Sequence, residues 1–334
     1  MNKKTLAQKA PHTDQSGFAL IMVMSSVLVL EIICLFLNQA RGTQAVIASH
    51  RGEKLKSWYL ARAGVAHGLW RIQEGPNWRA QMTNLPLGDG AYTVSFTEDP
   101  NRPRIYISSQ AQVGGIQSST ARTVHWMIIQ PDHSWDYWEA DTYVQEGKLN
   151  DIYDDKNELL LDSEEASNAR CRTLAKYNLK KYSLPNMASI VAARFSMYLF
   201  SPDKDDDFVI DGIINDVYRI HRVTNSWEPH QTSWKYRNKF FGIPWSTWGG
   251  DFDPNFEDSL TFSTMGWKTW SITTMTRYWM EYPSQNHGFI IGVANTRPGN
   301  NEVKFYSSQE NKFDADGNSL KPKVALYYLD ARSP

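Results

Sequence analysis

Residues 18–37 read FALIMVMSSVLVLEIICLFL, twenty residues in which Glu31 carries the only charge. A helix of that length is about 30 Å long, which matches the hydrocarbon core of a bilayer. The preceding residues, 1–17, are polar and contain three lysines, and helical spacing continues after the apolar stretch to about Gln73. The stretch therefore predicts a transmembrane segment that forms the first part of one long helix.

The position of Gly17 distinguishes this N-terminus from an ordinary signal peptide, which is cut after its apolar region. Here the small residue precedes the apolar region, at the junction with Phe18. A basic leader, this junction, an apolar span and a long helix together resemble the N-terminus of type IV prepilins and type II secretion pseudopilins. The resemblance implies that a prepilin peptidase cuts between Gly17 and Phe18 and leaves the apolar helix in the mature protein. The alternative is a plain signal anchor with its lysines on the cytoplasmic side.

The fifth mature residue departs from the common pattern of pilins. Most pilins carry Glu there, whereas this chain carries Met22. Family members without that Glu include the pseudopilin assigned to the tip of the type II secretion pseudopilus, which this chain also resembles through WYLARAGV at residues 58–65. This resemblance covers roughly residues 15–73. It implies a minor or tip subunit whose partners are other pilin or pseudopilin subunits.

Glu31 lies thirteen residues after Phe18, within the predicted span. A carboxylate near the centre of a bilayer costs roughly 2.5–3.5 kcal/mol on insertion scales, so an intramembrane charge indicates a function such as assembly. The alternative is that Glu31 is protonated, or lies near enough to the far interface to reach water. Both interpretations stay open at this point.

A small helix-on-sheet unit is predicted after the span. The segment of the long helix, residues 18–75, ends with Gly75 as the helix cap, because glycine suits a helix C-terminus and Pro76 cannot continue the helix. Residues 85–129 alternate apolar and polar side chains as strands do, with turn residues between the runs. Three or four antiparallel strands with one apolar face need a cover, which the helix can provide. Residues 76–130 are therefore expected to form a pilin-like sheet.

The composition changes near residue 131. Beyond it lie most of the thirteen Trp residues and many short apolar runs broken by Asn, Asp, Gly and Pro. We predict strands at 141–144, 158–162, 172–178, 192–200, 216–223, 260–264, 269–272, 288–294, 303–307 and 323–329, and a short helix at 273–280. Many short strands without long helices are typical of a sandwich or jelly roll. The expected fold class is α+β: a long N-terminal transmembrane helix packed on a small antiparallel sheet, followed by an all-β jelly-roll sandwich over residues 131–334.

The C-terminal residues also resemble a known family, the DNRLRE domain, a jelly-roll module classed with carbohydrate-binding modules. The matching pieces follow one another in the family's order over about residues 135–332. They include Ala140-Asp141-Thr142-Tyr143-Val144, Leu174-Ala175-Lys176-Tyr177-Asn178-Leu179, Trp227-Glu228, Trp234, Gly249-Gly250-Asp251 and Phe305-x-Ser307-x-x-Glu310. Two departures are Tyr177-Asn178 in place of Phe-Asp, and Ser308-Gln309 where the family has Ser-Arg before the Glu.

Aromatic side chains are the first candidates for ligand binding, because a sugar ring can lie on a Trp or Tyr face while polar neighbours bind its hydroxyls. Trp245 and Trp248 lie in a predicted loop, beside Asp251 and Asp253. We take these four residues as candidates for contact with an extracellular polysaccharide. The alternative is that the tryptophans fill the core, which we expect for Trp227, Trp234, Trp267 and Trp279.

A structural calcium ion is compatible with the jelly-roll resemblance, although the sequence proves none. Asp314, Asp316 and Asn318 place oxygen atoms at alternate positions, as a calcium loop begins. The sixth position of that loop is Ser319 instead of Gly, and the twelfth is Ala325 instead of Glu, so a solvated Asp-Gly hairpin is the better interpretation. The acidic run 203–207 and the group Asp251, Asp253 and Asp258 are weaker candidates.

No catalytic group is evident in the sequence, and we expect no enzymatic activity. The eight His residues are scattered, and the chain has no HExxH, no GxSxG and no glycine-rich phosphate loop. A net charge of −1 gives no support to nucleic-acid binding. Cys34 lies in the predicted span and Cys171 in the distal region, so we expect no disulfide between them.

Two hypotheses follow. The first is a minor pilin or pseudopilin subunit in the inner membrane, crossing it once, that displays a β-sandwich in the periplasm or outside the cell for assembly, adhesion or glycan contact. The second is a membrane-anchored carbohydrate-binding or polysaccharide-processing protein that does not join a filament. They differ in the fate of the bond between Gly17 and Phe18.

Overall fold

The computed structural model describes residues 15–75, 77–130, 139–163, 169–182, 184, 189–201, 216–294 and 302–330, with side chains from residue 21 onward. Its longest element is helix α1, Gln15–Glu74, and the rest is largely antiparallel sheet, so the α+β class is confirmed. A second helix, α2, spans Thr273–Glu281. The described strands are β1 (Met82–Leu87), β2 (Gly90–Glu98), β3 (Arg104–Val113), β4 (Ile116–Ile129), β5 (Ala140–Gln145), β6 (Glu158–Leu161), β7 (Cys171–Lys176), β8 (Ser189–Ser201), β9 (Tyr218–Val223), β10 (Tyr236–Asn238), β11 (Ile243–Pro244), β12 (Phe252–Leu260), β13 (Gly266–Ser271), β14 (Phe289–Val293), β15 (Val303–Tyr306) and β16 (Lys323–Leu329).

Helix α1 has two parts with different surroundings. From residue 21 to about residue 50 its side chains are exposed, whereas its last turns pack on β2, β3 and β4. The helix ends at Glu74, where the sequence predicts its end; Pro76 lies outside the described residues. Apolar residues of the last turns join those of the strands in one core, which contains Leu69, Ile72, Val94, Ile107 and Val124.

Two larger sheets and one hairpin contain all the described strands. The first sheet has the order β1-β2-β3-β4-β16-β8-β15-β6, and β13 pairs with β8 beside this path. The second has the order β12-β9-β14-β7-β5, and β10 pairs with β11. Antiparallel pairing of β4 with β16 joins the strands of residues 82–129 to those of the C-terminal region.

The two faces of the first sheet have different covers. On the α1 side, Tyr327 and Leu329 of β16 pack with the helix core. On the other side, Val324 and Leu326 of the same strand pack in a second core that also contains residues of the second sheet. Phe195 of β8 and Phe289 of β14 meet across this core with ring centroids 4.5 Å apart. Because successive side chains of a strand point to opposite faces, β16 contributes apolar residues to the cores on both faces of this sheet.

Nine of the ten strands predicted beyond residue 131 overlap observed strands over most of their length, and α2 overlaps the predicted short helix. The strand predicted at 260–264 is wrong, because the chain there leaves the sheet after Leu260, the last residue of β12. Strand β12 is not evident from the sequence because it contains Asp253-Pro254-Asn255, a run that resembles a turn. Proline is tolerated because β12 is an edge strand of the second sheet, with irregular register against β9.

Candidate functional site

The first part of α1 presents an almost continuous run of exposed apolar side chains over residues 21–37. Among the described helices, α1 is the one long and apolar enough to cross a membrane. Its serines are satisfied within the helix: Ser25 donates a hydrogen bond to the Ile21 carbonyl (2.8 Å) and Ser26 to the Met22 carbonyl (2.7 Å). These two hydroxyls therefore need no water inside a bilayer.

The predicted processing and assembly residues lie along this helix. The backbone of Gly17 and Phe18 is helical, while the Phe18 side chain and residues 1–14 of the predicted leader are outside the described part. Met22 and Glu31 are both exposed. Nine residues are about 2.5 helical turns, so these two side chains leave opposite sides of the helix. A single neighbouring helix would therefore contact one of them and not the other.

Small residues bring the last turns of α1 against the sheet. A Cβ atom added to Gly64 would lie 2.8 Å from the Tyr92 ring, and one added to Gly68 would lie 2.6 Å from the Ile107 side chain. Ala61 is fully buried at the same contact. The helix thus lies closer to the sheet than larger side chains would allow.

The predicted ligand pair, Trp245 and Trp248, separates in the structure. Trp245 is 2% exposed and donates its indole N–H to the Ser233 carbonyl at 3.0 Å, so its face is covered by the protein core. Trp248 is 52% exposed, with the Lys235 ammonium 5.9 Å from its ring centroid. Only Trp248 of the two can offer a ring face to a ligand. Trp227, Trp234 and Trp279 are buried as expected, and Trp267 is half-buried.

Asp251 organises the loop that carries Trp248. Its carboxylate accepts hydrogen bonds from the backbone N–H groups of Ser246 (2.9 Å) and Thr247 (2.7 Å), and from the Asn225 amide (2.8 Å). Burial opposes ionisation of this carboxyl, but the hydrogen bonds outweigh burial and lower its pKa. Because the protein occupies both its oxygens, Asp251 positions the loop and does not present a free carboxylate.

The other two residues of the acidic group, Asp253 and Asp258, make contacts of their own. Asp253 forms an ion pair with Arg222 (3.1 Å) and accepts a hydrogen bond from the backbone N–H of Asn255, which comes first among the causes that lower its pKa. Asp258 accepts hydrogen bonds from the backbone N–H groups of Ser259, its neighbour in β12, and of Ser271 in β13 of the first sheet. These contacts hold edge strand β12, and Asp251 serves the loop before it.

The candidate calcium residues form a turn that satisfies itself. Asp314 accepts hydrogen bonds from the backbone N–H groups of Asp316 (3.0 Å) and Asn318 (2.7 Å), and Gly317 has a φ of 81°. This geometry is the solvated Asp-Gly hairpin that the sequence favours over a calcium loop. Within the described ranges, no group of three or more His, Cys, Asp or Glu residues is placed to hold a metal ion. The acidic run 203–207 lies outside those ranges.

A cavity of about 810 Å³, which the sequence does not indicate, lies between the end of β7 and the segment that follows α2. Lys176, Trp279 and His287 contribute to its lining. Burial, with the positive charges of Lys176, Arg222 and Arg237, lowers the pKa of His287, so its imidazole is neutral at pH 7. The indole N–H of Trp279 is buried without a partner among the described residues. The lining thus combines polar side chains with the apolar rim of Trp279.

Sequence reasoning also missed a hairpin on the surface near Trp248. We call it the aromatic hairpin: residues 236–244, formed by β10, β11 and the turn between them. Phe240 and Phe241 lie at its tip and are exposed. The signal was present as two adjacent phenylalanines before Gly242. A pair of phenylalanines is as typical of a core strand as of a surface tip, so the sequence alone did not separate the two.

The two cysteines form no disulfide: Cys34 is exposed on α1, and Cys171 is buried in β7. The expectation that they do not pair is confirmed.

Comparison of the chain with models of known protein families gives no match, and comparison with curated proteins gives none either.

Proposed function

We propose that the chain is a minor pilin or pseudopilin subunit, anchored by one pass in the inner membrane, with its sheets in the periplasm or outside the cell. The observation that carries this proposal is the construction of α1. One unbroken helix of 60 residues begins with an exposed apolar part and ends packed on an antiparallel sheet. In a mature subunit the apolar part would contact lipid first and the helices of neighbouring subunits later.

The proposal includes the division of the chain into a leader (1–17), a long helix (18–75, transmembrane over 18–37), a pilin-like sheet (76–130) and a DNRLRE-like jelly roll (131–334). Support for the last part comes from contacts that its family-like pieces make with residues far along the chain. Asp141 accepts a hydrogen bond from the Ser308 backbone N–H (3.0 Å), and the Trp227 indole donates to the His287 carbonyl (2.7 Å). Pieces far apart in sequence thus contact one another.

Processing is the first test. Co-expression of the full chain with a prepilin peptidase should yield a protein whose N-terminus, measured by mass spectrometry, is Phe18. A Gly17→Arg variant should keep its leader, because a large charged residue replaces the small one at the predicted cut. An intact leader on the unchanged protein would favour the membrane-anchored alternative instead.

Incorporation into a filament is the second test, and the chain supplies its own probe. Cys34 is exposed on the apolar part of α1, whereas Cys171 is buried, so a thiol-reactive crosslinker should label contacts of α1. We expect Cys34 to crosslink to other pilin or pseudopilin subunits, and a Cys34→Ser variant to lose the product. If Cys34 crosslinks to none, the protein is not a filament subunit.

The displayed region would contact a glycan through the exposed face of Trp248. Binding of the full chain to a glycan array should fall at least tenfold on Trp248→Ala, a loss of about 1.4 kcal/mol. Trp70→Ala is the matched control, because Trp70 is similarly exposed on α1, far along the chain from the loop. Equal losses for both variants would assign the effect to nonspecific aromatic contact and remove the glycan role from Trp248.

The second candidate function keeps the glycan contact and drops the filament. A membrane-anchored carbohydrate-binding or polysaccharide-processing protein would retain residues 1–17 and bind glycan as before. The cavity beside α2 favours this second candidate, because the cavity is large enough for a small sugar. Its expected experimental pattern is an intact leader together with a positive glycan array.

A further inference from the structure

The aromatic hairpin places two apolar rings where no described part of the protein covers them. Phe240 is 77% exposed and Phe241 is 71% exposed, and their ring centroids lie 5.0 Å apart. Single exposed apolar residues are common, but adjacent exposed rings on one loop indicate an interaction surface. We propose that the hairpin is a membrane-contact element whose tip inserts Phe240 and Phe241 into the interface of an anionic lipid bilayer. This inference goes beyond the proposed subunit function.

The turn at the tip directs both rings away from the protein. The Gly242 N–H donates a hydrogen bond to the Lys239 carbonyl at 3.0 Å, so the two phenylalanines occupy the central positions of a tight turn. The Asn238 side chain accepts a hydrogen bond from the Phe241 N–H at 3.2 Å. Gly242 has a φ of 64°, which a residue with a side chain rarely adopts. The backbone geometry of the turn therefore sets the outward direction of the two rings.

The base of the hairpin is fixed to the body of the protein. The Trp245 N–H donates to the Lys235 carbonyl at 3.0 Å, and the Lys239 N–H donates to the Gln231 carbonyl at 2.9 Å. Trp245, directly after β11, is buried in a core cluster and fixes the end of this exposed strand to the protein. Because the hairpin is already ordered, insertion of its tip would cost little conformational entropy.

The charge around the tip suits an anionic surface. Residues 235–248 contain Lys235, Arg237 and Lys239 and no acidic residue. These cations contact backbone carbonyls, a serine hydroxyl and aromatic rings, and no described carboxylate forms an ion pair with them. The neighbouring segment 148–156 holds three Asp and two Lys, so the two segments together remain positive. Each cation near an anionic bilayer adds to binding.

A lipid surface fits this tip better than a sugar or a second copy of the chain. Phenylalanine lacks the hydrogen-bonding edge that helps tryptophan or tyrosine bind a hydroxylated ligand. A convex tip also offers too little area for a stable protein interface. Apolar rings flanked by lysine and arginine are instead the composition of elements that lie in the bilayer interface.

The test uses the full chain in nanodiscs of zwitterionic lipid, which occupy the apolar part of α1. These particles are mixed with separate vesicles of phosphatidylcholine containing about one third phosphatidylglycerol, and co-flotation is measured. We expect flotation with the anionic vesicles. The double variant Phe240→Ser/Phe241→Ser should weaken binding at least tenfold. Phe313→Ser is the matched control, because Phe313 is 62% exposed on another loop, and it should bind as the unchanged protein does.

The cations have a separate readout. Lys235→Gln/Lys239→Gln should weaken binding to anionic vesicles by about tenfold and have little effect with phosphatidylcholine alone. Hydrogen exchange should show new protection of the Gly242 amide and its neighbours when anionic vesicles are added.

Three results would overturn the inference. The first is equal flotation of the unchanged protein and the double phenylalanine variant. The second is no flotation of the unchanged protein at all. The third is association of the nanodisc particles with one another without vesicles, measured by sedimentation and lost in the double variant, which would assign the tip to a second copy of the chain. Each result is interpreted with thermal unfolding of both proteins, which should coincide because the two rings are exposed.

Discussion

Neighbouring residues of one type can have opposite roles, and Trp245 and Trp248 illustrate this. Trp245 fills the core beneath the aromatic hairpin, and Trp248 stands in solvent three residues later. We expect Trp245→Ala to lower the free energy of unfolding by about 3–5 kcal/mol, because it leaves a large cavity. Trp248→Ala should change it by less than about 0.5 kcal/mol. Denaturant titration of both variants measures this difference; similar losses would contradict the assigned surroundings.

The buried carboxyl of Asp141 should make the stability of the protein depend on pH. Asp141 is 2% exposed in β5, and its carboxylate accepts hydrogen bonds from the backbone N–H and the hydroxyl of Ser308. Burial is the larger effect and raises the pKa of Asp141 to about 6. In the unfolded chain the same carboxyl has a pKa of about 3.9.

The sign of the resulting pH dependence follows from proton binding. Between about pH 4 and pH 6 the folded protein holds the Asp141 proton more tightly than the unfolded chain, so this residue's contribution to stability falls as pH rises. The loss is on the order of 2–3 kcal/mol and is complete above pH 6. Asp141→Asn should remove this slope. Denaturant midpoints of both proteins at several pH values test it, and parallel pH profiles would contradict a raised pKa.

At the scale of elements, the contact between α1 and the sheet depends on glycine. Gly64 and Gly68 face β2 and β3 without space for a Cβ atom, whereas Gly52, earlier on the same helix, has nothing within 4 Å of such an atom. Replacing glycine by alanine should therefore have opposite effects on stability in these two environments. Helix propensity favours alanine over glycine by about 1 kcal/mol, and a clash with a packed sheet disfavours it.

The glycine substitutions therefore form a matched pair. Gly52→Ala should stabilise the helix by about 0.5–1 kcal/mol. Gly64→Ala should destabilise the protein by about 1–3 kcal/mol, because the Tyr92 ring and the Ser109 side chain must move. Thermal unfolding of both variants, followed by far-UV circular dichroism, measures the two effects. A stabilising Gly64→Ala would show that the helix does not pack on the sheet in this way.

Prediction at the element scale succeeded where local pattern and tertiary position agree. β16 and α2 overlap their predicted ranges because alternation and helical spacing there match their final surroundings. β12 failed because its turn-like residues are tolerated at a sheet edge, a property of the neighbours and not of the segment. The short hairpin strands β10 and β11 had too few residues to show a period.

At the scale of the whole molecule, the first sheet ties the two halves of the chain together. β16, near the C-terminus, pairs with β4, and Arg194 of β8 donates hydrogen bonds to the carbonyls of Ile72 and Gly75 at the end of α1. The Trp78 and Tyr327 rings also meet, with centroids 6.5 Å apart. The C-terminal strands thus depend on contacts made before residue 131.

A fragment of residues 131–334 should therefore be less stable than one of residues 38–334. The shorter fragment exposes an unpaired edge of β16 and the apolar residues that face α1, and an exposed edge promotes aggregation. We expect the shorter fragment to elute as aggregates in size exclusion and to unfold several degrees lower. The longer fragment lacks only the apolar part of α1 and serves as the control. Equal melting temperatures would show that the C-terminal region folds on its own.

The sequence by itself determined the apolar span, the end of the long helix, the antiparallel character of the remainder and most strand positions. These features rest on the spacing of neighbouring residues, which the sequence displays directly. The tertiary structure alone decided that Trp245 is buried and Trp248 exposed, that Asp251 binds its own loop, that β4 joins β16 and that Phe240 and Phe241 face outward. Each of these depends on residues distant in the chain, because burial and strand pairing are set by what the folded chain brings alongside.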